Sequence, residues 1–213
     1  MRPAKLLFWA SSALIVHTHV GYPALLWLLA RGRARAQADG VEENHPSPRV
    51  TVVVAAYDEE DVIARKVENV LALDYPRELL QLIVASDGST DATVERAEAA
   101  GADLVIDLPR GGKVRAQDQA VESATGEIVV FSDANALLEP DALRHLVARF
   151  EEDPRLGYLC GQVRFTTEDG TNQEGLYWRY EMAIRELESR VGDVTAGNGA
   201  LYATRRESYL VVD

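Results

Sequence analysis

The sequence predicts an α/β protein whose mostly parallel sheet is doubly wound, with helices on both faces, and is preceded by one transmembrane helix. Short β-branched runs alternate with segments of helical spacing from Val50 onward, and such alternation forms right-handed crossovers and parallel sheets. Residues 6–30 contain no Asp, Glu, Lys or Arg, and about 20 apolar residues in a helix cross a bilayer. We therefore expect a membrane anchor over residues 1–35, a polar linker over 36–49 and an α/β domain over 50–213.

The apolar stretch at residues 6–30 is interpreted as an uncleaved anchor, because it is longer than the signal-peptide core of about 7–15 residues. A signal peptide stays the alternative, since Arg2 and Lys5 precede the stretch and small residues follow Arg35. More basic residues follow the stretch than precede it, and basic residues favour the cytoplasmic side. The sequence therefore predicts a single-pass protein of the cell membrane with its α/β domain in the cytoplasm.

Four short apolar runs rich in β-branched residues are typical of strands buried on both faces. They cover residues 50–56, 80–86, 102–108 and 126–133. The parallel rhythm fades after Pro154. There, residues 156–165 predict a further strand, and residues 195–206 predict a glycine-containing turn into another strand.

Each of the four runs is followed by a segment with helical periodicity. Acids in the first turn suit a helix dipole, Ser, Thr and Asp are cap residues, and Pro favours a helix start. The predicted helices cover residues 58–73, 89–100, 111–124 and 140–152, with a long amphipathic helix over 173–190.

Acidic residues dominate the chain after its N-terminal segment. The net charge is -12, and residues 1–36 hold five basic residues and no acid, which leaves 17 of the 22 basic and all 34 acidic residues to the remainder. A surface of this sign argues against nucleic acid as a partner. Cys160 is the single cysteine, so the chain has no internal disulfide and no zinc site built from several thiolates.

The loops after the four strands form the candidate site, because ligands of open α/β sheets bind beyond the carboxyl ends of the strands. These loops read "AAYDEE", "ASDGSTD", "LPRGGK" and "FSDAN". No P-loop sequence occurs, and no Gly-x-Gly-x-x-Gly follows a strand. Ala85 stands where an aspartate-phosphate phosphatase needs its nucleophile, which argues against that class.

Asp87 and Lys113 are candidates in the second and third loops. Asp87 before Gly88 is typical of a plain strand-to-helix turn, and the alternative is a hydrogen bond to a ligand across the strand ends. Lys113 follows two glycines at a predicted helix start, a place that suits anions. A solvated lysine is the other interpretation, although Arg110 close by in an acidic domain favours a phosphate contact.

Asp133 and Asn135 follow the fourth strand and offer two oxygen ligands two residues apart. Such a pair on a turn suits a hard divalent ion, Mg²⁺ or Mn²⁺, which would bridge to a diphosphate. The alternative is that both residues cap the helix predicted to start near Pro140, since Asn and Asp are ordinary turn formers.

Taken in order, five segments resemble the inverting family 2 glycosyltransferases of the GT-A fold. They read "VTVVVAAYDEEDVI", "LIVASDGSTDAT", "GGKVRAQDQA", "GEIVVFSDANALLEPDAL" and "TAGNGALYATRR". The resemblance covers roughly residues 50–206 and is strongest to membrane-bound enzymes similar to cellulose, hyaluronan and poly-N-acetylglucosamine synthases. It implies transfer of a sugar from a nucleotide-diphospho-sugar to a carbohydrate or lipid acceptor.

The same resemblance implies roles for individual residues. The metal, Mg²⁺ or Mn²⁺, is expected at Asp133 and Asn135. The acceptor is expected beside a loop of Gly197, Asn198 and Gly199. The nucleotide-sugar is expected at Ala56, Tyr57, Glu59, Asp87, Lys113 and Asp133.

The chain departs from the family pattern at several positions. Ser86 replaces the first acid of the usual Asp-Asp-Gly, and Asn135 replaces the last acid of Asp-x-Asp. The general base of the family follows the glycine loop, so it is expected beyond this sequence, with Asp213 as a weaker candidate. The domain is thus expected to be incomplete at its C-terminus, and a non-catalytic nucleotide-sugar-binding membrane module is the alternative function. A sugar-phosphate nucleotidyltransferase is disfavoured, because its glycine-rich first loop is replaced by "AAYDEE".

Overall fold

The chain forms two compact units. The computed structural model describes residues 3–31, 47–163, 175–192 and 199–211. One unit comprises Met1–Gln37 with Arg164–Ala196, and the other comprises Ala38–Val163 with Gly197–Asp213. The grouping of residues 164–196 with the N-terminal segment was not anticipated from sequence, and the boundaries proposed there stay a prediction.

The larger unit is built on one mixed sheet with the order β3-β2-β1-β4-β6-β5. β1 pairs with β2 and β4 in parallel, β2 pairs with β3 in parallel, and β6 runs antiparallel to β4 and β5. The predicted, mostly parallel sheet is therefore confirmed. The strands are β1 (Val50–Ala56), β2 (Leu80–Asp87), β3 (Leu104–Leu108), β4 (Ile128–Asp133), β5 (Tyr158–Cys160) and β6 (Leu201–Arg205).

Helices cover both faces of this sheet, as a doubly wound fold requires. The helices are α3 (Ile63–Leu71), α4 (Thr93–Ala99), α5 (Lys113–Glu122) and α6 (Ala142–Glu152). Apolar residues of α3, α4 and α6 pack on one face, and three alanines on and just after α5 pack on the other. Because side chains of a strand alternate between faces, Val52 and Val54 join the first core and Val53 the second.

The helix predicted over residues 58–73 is shorter than expected and begins only at Ile63. Asp58 has a φ of +50°, which a helix does not accommodate. The backbone N–H groups of Glu59 and Glu60 donate to side-chain oxygens of Thr93 and Asp91, at 2.8 and 3.1 Å. The first loop is therefore held to the second by side chains.

The smaller unit contains an apolar helical segment and one amphipathic helix. α1 (Pro3–Val16) continues through a π-helical turn (His17–Gly21) into α2 (Tyr22–Ala30), and α7 covers Leu176–Val191. The Tyr22 hydroxyl donates to Glu188 at 2.6 Å, and the Tyr180 hydroxyl donates to the His19 carbonyl at 2.6 Å. The segment Pro3–Ala30 is long and apolar enough to cross a bilayer.

Candidate functional site

The carboxyl ends of β1, β2 and β4 open into one cavity of about 370 Å³. Parallel strands direct the loops that follow them to the same edge of a sheet, which is why distant segments meet here. All seven residues predicted to bind the nucleotide-sugar or the metal line this cavity. The full lining is Ala55, Ala56, Tyr57, Glu59, Asp87, Arg110, Lys113, Asp133, Ala134 and Asn135.

Asp87, at the end of β2, is buried, with 4% of its surface exposed. Its Oδ1 accepts hydrogen bonds from the backbone N–H groups of Gly111 and Gly112, at 2.6 and 2.9 Å. Its Oδ2 accepts a hydrogen bond from Arg110 Nη1 at 2.9 Å. The hydrogen-bonding capacity of the carboxylate is therefore used by the protein itself, and the carboxylate fixes the Gly111-Gly112 segment that precedes α5.

Gly88 allows the turn after β2 to approach that loop. Its φ is +72°, a left-handed conformation that favours glycine. A Cβ atom built at Gly88 would lie 2.7 Å from the backbone nitrogen of Arg110. The interpretation of Asp87-Gly88 as a structural turn is thus supported by the geometry, while the predicted contact of Asp87 with a nucleotide stays a prediction.

Arg110 lines the cavity although it was not among the predicted site residues. Its guanidinium carbon lies 3.3 Å from the centroid of the Tyr57 ring, a cation–π arrangement. Because Asp87 also binds this guanidinium, Arg110 joins the second loop to the first. Its position beside Lys113 in "LPRGGK" was the available sequence signal, but the direction of the side chain depends on the folded loop.

Lys113 and Asp133 form an ion pair between the start of α5 and the end of β4. α5 begins at Lys113, as predicted, and both side chains are partly exposed to the cavity. A Cβ atom built at Gly199 would lie 3.1 Å from Lys113 Nζ and 3.7 Å from Asp133 Oδ2. The Lys113–Asp133 ion pair and Gly199 are therefore neighbours. Gly197, Asn198 and Asp213 lie outside the described residues.

The capping alternative for Asp133 and Asn135 is wrong. α6 begins at Ala142, its N-cap position is Asp141, and no side chain caps it. The carboxylate of Asp133 instead pairs with Lys113, and Asn135 is exposed at the cavity. Both side chains are thus available as oxygen ligands.

The oxygen ligands of Asp133 and Asn135 fit a divalent ion that receives most of its ligands from phosphates and water. Among the described residues, no group of three or more His, Cys, Asp or Glu side chains is placed to hold a metal. Asp133 and Asn135 supply two oxygen atoms, and hard ions such as Mg²⁺ accept their remaining ligands from phosphates and water. The predicted pair therefore suits an ion that enters together with a diphosphate.

Lys66 was missed by the sequence analysis, although it is fully buried on α3 beneath the Asp133 loop. Its Nζ donates to Ser132 Oγ at 2.7 Å and to the Ala136 carbonyl at 2.5 Å. Burial lowers the pKa of Lys66 to about 8, and the charge of Asp133 opposes this shift, so the ammonium group stays mostly protonated at neutral pH. The available signal was its helical spacing, since Lys66 stands three residues after the buried Ile63.

Three comparisons with known proteins agree with this geometry. The model of the Glycosyl transferase family 2 matches residues 51–210. A poly-beta-1,6-N-acetyl-D-glucosamine synthase of Staphylococcus aureus is 32% identical over 119 residues, which cover 54% of this chain and 28% of that protein. This chain thus spans just over a quarter of the length of that relative.

Two solved structures have a similar fold. A mannosyltransferase from Pyrobaculum calidifontis, in complex with GDP-Man and Mn²⁺, gives a TM-score of 0.71 at 29% identity over 93% of this chain and 56% of that chain. Glucosyl-3-phosphoglycerate synthase of Mycobacterium tuberculosis, with Mn²⁺, UDP-glucose and phosphoglyceric acid, gives 0.54 at 26% identity over 75% and 57%. The predicted GT-A type of fold is confirmed, and because the family model matches most of the sequence, this chain belongs to glycosyl transferase family 2.

Proposed function

We propose that this chain is the donor-binding part of a membrane-anchored glycosyltransferase, which transfers a sugar from a nucleotide-diphospho-sugar to a hydroxyl acceptor with inversion. The observation that carries the proposal is the ion pair of Lys113 and Asp133, which lies in a cavity at the carboxyl ends of the parallel strands. Family membership and the nucleotide-bound, Mn²⁺-containing relatives support it.

The cavity divides into two chemically different ends. Tyr57 and Arg110 offer an aromatic ring and a planar cation, groups on which a nucleobase stacks. Lys113 offers a compact cation, which suits a diphosphate as a point charge. We assign the nucleoside to the first end and the diphosphate to the second.

A Mg²⁺ or Mn²⁺ ion would be held by Asp133 and Asn135 at the diphosphate end. When bound, such an ion neutralises the charge that develops on the departing nucleoside diphosphate. Lys113 contributes to the same end because its ammonium group attracts the leaving group and is already placed before binding. Asp87 acts through the loop, since it holds the segment that carries Arg110 and leads into Lys113.

The acceptor hydroxyl is expected to approach from the side of Gly199, which borders the ion pair. In an inverting transfer a base takes the hydroxyl proton, the oxygen attacks the anomeric carbon, and the nucleoside diphosphate leaves with the bonding electrons. We assign no described residue as this base. The carbohydrate or lipid nature of the acceptor follows from the relatives and belongs to the proposal.

Membrane attachment through Pro3–Ala30 completes the proposed function. The segment has the length and apolarity of a span, and the arginines that follow it favour a cytoplasmic location of the larger unit.

Nucleotide binding by the full 213-residue chain in detergent tests the proposal. UDP and GDP are titrated by calorimetry with and without Mn²⁺, and we expect Asp133→Ala to weaken Mn²⁺-supported binding about tenfold or more, because a charged ligand is lost. Asp74→Ala is the matched control, since Asp74 pairs with Arg144 on the surface and does not line the cavity.

The proposal fails if neither nucleotide binds, or if Asp133→Ala binds as well as the unmodified chain. Donor hydrolysis or transfer is measured on the same samples with UDP- and GDP-sugars. Binding without turnover supports the alternative, a non-catalytic nucleotide-sugar-binding membrane module.

A further inference from the structure

Lys66 is a fully buried cation whose described hydrogen-bond partners are both neutral. The ammonium group donates to the hydroxyl of Ser132 and to the carbonyl of Ala136. A buried charge is costly unless opposite charge compensates it. The carboxylate of Asp133, between these two partners in sequence, is the negative group that acts on Lys66 electrostatically.

The same ammonium group joins two segments that border the cavity. Ser132 Oγ, which accepts from Lys66, donates in turn to the Ala200 carbonyl at 2.8 Å. Ala200 directly follows Gly199, and Ala136 directly follows Asn135. Lys66 therefore holds the loop with the two predicted metal ligands and, through one hydroxyl, the end of the glycine loop.

Clamping alone does not require a charge at this place. One turn further along α3, the neutral amide of Asn69 accepts from the Leu138 N–H at 2.8 Å and donates to the Leu138 carbonyl at 2.9 Å. Asn69 thus holds the same loop on both sides of one residue without any buried charge. What distinguishes Lys66 from this clamp is its positive charge.

The charge balance around Asp133 depends on Lys66. Lys66 and Lys113 both act on this one carboxylate, and Asn135 adds no charge. Glu59, Asp87 and Arg110 are the other charged residues that line the cavity, so its lining carries one net negative charge, which Lys66 offsets. Lys66 thus removes a negative charge that would oppose a diphosphate in the absence of a metal ion, because fixed charges act strongly where water is partly excluded.

We propose that Lys66 is a positioning residue of the donor site whose buried charge supplies a metal-independent part of the affinity for a nucleoside diphosphate. This inference rests on the proposed function. The loop with Asn135 in place of an acid depends less on a divalent ion, because a fixed cation below the loop performs part of the ion's electrostatic role.

The test compares nucleotide binding in EDTA with binding in saturating Mn²⁺, using the full chain in detergent with UDP and GDP as probes. For Lys66→Met we expect a loss of about tenfold or more in EDTA, because a fixed charge acts strongly where water is partly excluded, and a clearly smaller loss in Mn²⁺. Asn69→Leu is the matched control on the same helix. It removes a neutral clamp, so it changes both affinities by the same factor.

Two further variants guard against a misfolded Lys66→Met protein. Lys66→Gln retains hydrogen-bond donors without the charge and is expected to show the same selective loss in EDTA. Asn135→Asp leaves Lys66 in place but adds a negative charge to the cavity, so it is expected to weaken binding in EDTA too.

The outcomes separate the two proposals. No binding of either nucleotide in either condition overturns the proposed function. Binding of the unmodified chain that requires Mn²⁺, or equal losses in EDTA and Mn²⁺ for the charge-changing variants, overturns the role of Lys66 alone.

Discussion

Asp87 and Asp133 are two acids at the carboxyl ends of parallel strands, yet their surroundings differ. Asp87 has 6% of its side chain exposed and accepts hydrogen bonds from two backbone N–H groups and one guanidinium. Asp133 has 33% of its side chain exposed, and Lys113 is the single hydrogen-bond donor that its carboxylate contacts among the described residues. We call Asp87 a closed carboxylate, because protein donors occupy its oxygen atoms. We call Asp133 an open carboxylate, because a ligand can reach its oxygen atoms.

This difference shows that a strand-end acid can serve either the loop or the ligand. A carboxylate has about four lone-pair sites, and those of Asp87 are largely occupied by its own chain. Replacement of Asp87 is therefore expected to affect stability first and binding as a consequence. Replacement of Asp133 is expected to affect binding while the fold stays intact.

The largest expected effect is that of Asp87→Ala on stability. The change leaves the Gly111 and Gly112 N–H groups without their acceptor, so we expect the free energy of unfolding to fall by about 3 kcal/mol. Arg110 is half exposed, so solvent screening reduces its share of this loss. Urea unfolding followed by circular dichroism measures the change, and faster hydrogen exchange at the two glycines locates it.

Asp133→Ala is the comparison variant for this experiment. Because the buried Lys66 loses part of its compensating charge, we expect the free energy of unfolding to fall by about 1 kcal/mol, clearly less than in Asp87→Ala. An equal loss of stability in both variants would contradict the distinction between a closed and an open carboxylate.

The features that could be predicted from the sequence are those that depend on residues close together in the chain. The alternation of strands and helices predicted the order of elements, and the rule for strand ends predicted that Tyr57, Asp87, Lys113 and Asp133 share one cavity. These inferences depend on local periodicity and on a general property of parallel sheets, and both can be read along the chain.

Other features of the site depend on contacts between distant residues. Lys66 and Ser132 are 66 positions apart, and Arg110 is 23 positions from Asp87. Helical spacing places Lys66 on the buried side of α3, but no local pattern encodes the loop that lies above it or the carboxylate that another loop closes. The predicted start of the first helix at residue 58 was wrong for the same reason. Thr93, 34 positions away, accepts a hydrogen bond from the backbone N–H of Glu59 and holds it outside the helix.

A smaller effect is expected when Asn135 is replaced by aspartate, the residue that the family pattern has at this position. Asn135→Asp adds a charged oxygen ligand beside Asp133, and ligand charge raises the affinity of a hard divalent ion. We expect Mn²⁺ to bind about tenfold more tightly, or about 1.4 kcal/mol, in the presence of saturating nucleotide. Calorimetric titration of Mn²⁺ measures the change.

Asn135→Ala is the matched variant, because it removes the oxygen without adding charge, and it is expected to weaken Mn²⁺ binding. If Asp and Ala at this position give the same affinity as Asn, residue 135 is not a metal ligand.

The smallest expected effect concerns Arg110, which links the closed carboxylate to the first loop. Arg110→Gln removes the cation above the Tyr57 ring and the ion pair with Asp87, both at a half-exposed site. Such contacts contribute about 0.5–1 kcal/mol each at most, so we expect the free energy of unfolding to fall by about 1 kcal/mol, well below the loss in Asp87→Ala. Arg155→Gln serves as the control, since its side chain is 92% exposed and its loss is expected to be negligible. A loss in Arg110→Gln as large as that in Asp87→Ala would mean that the guanidinium, rather than the two glycine N–H groups, closes the carboxylate.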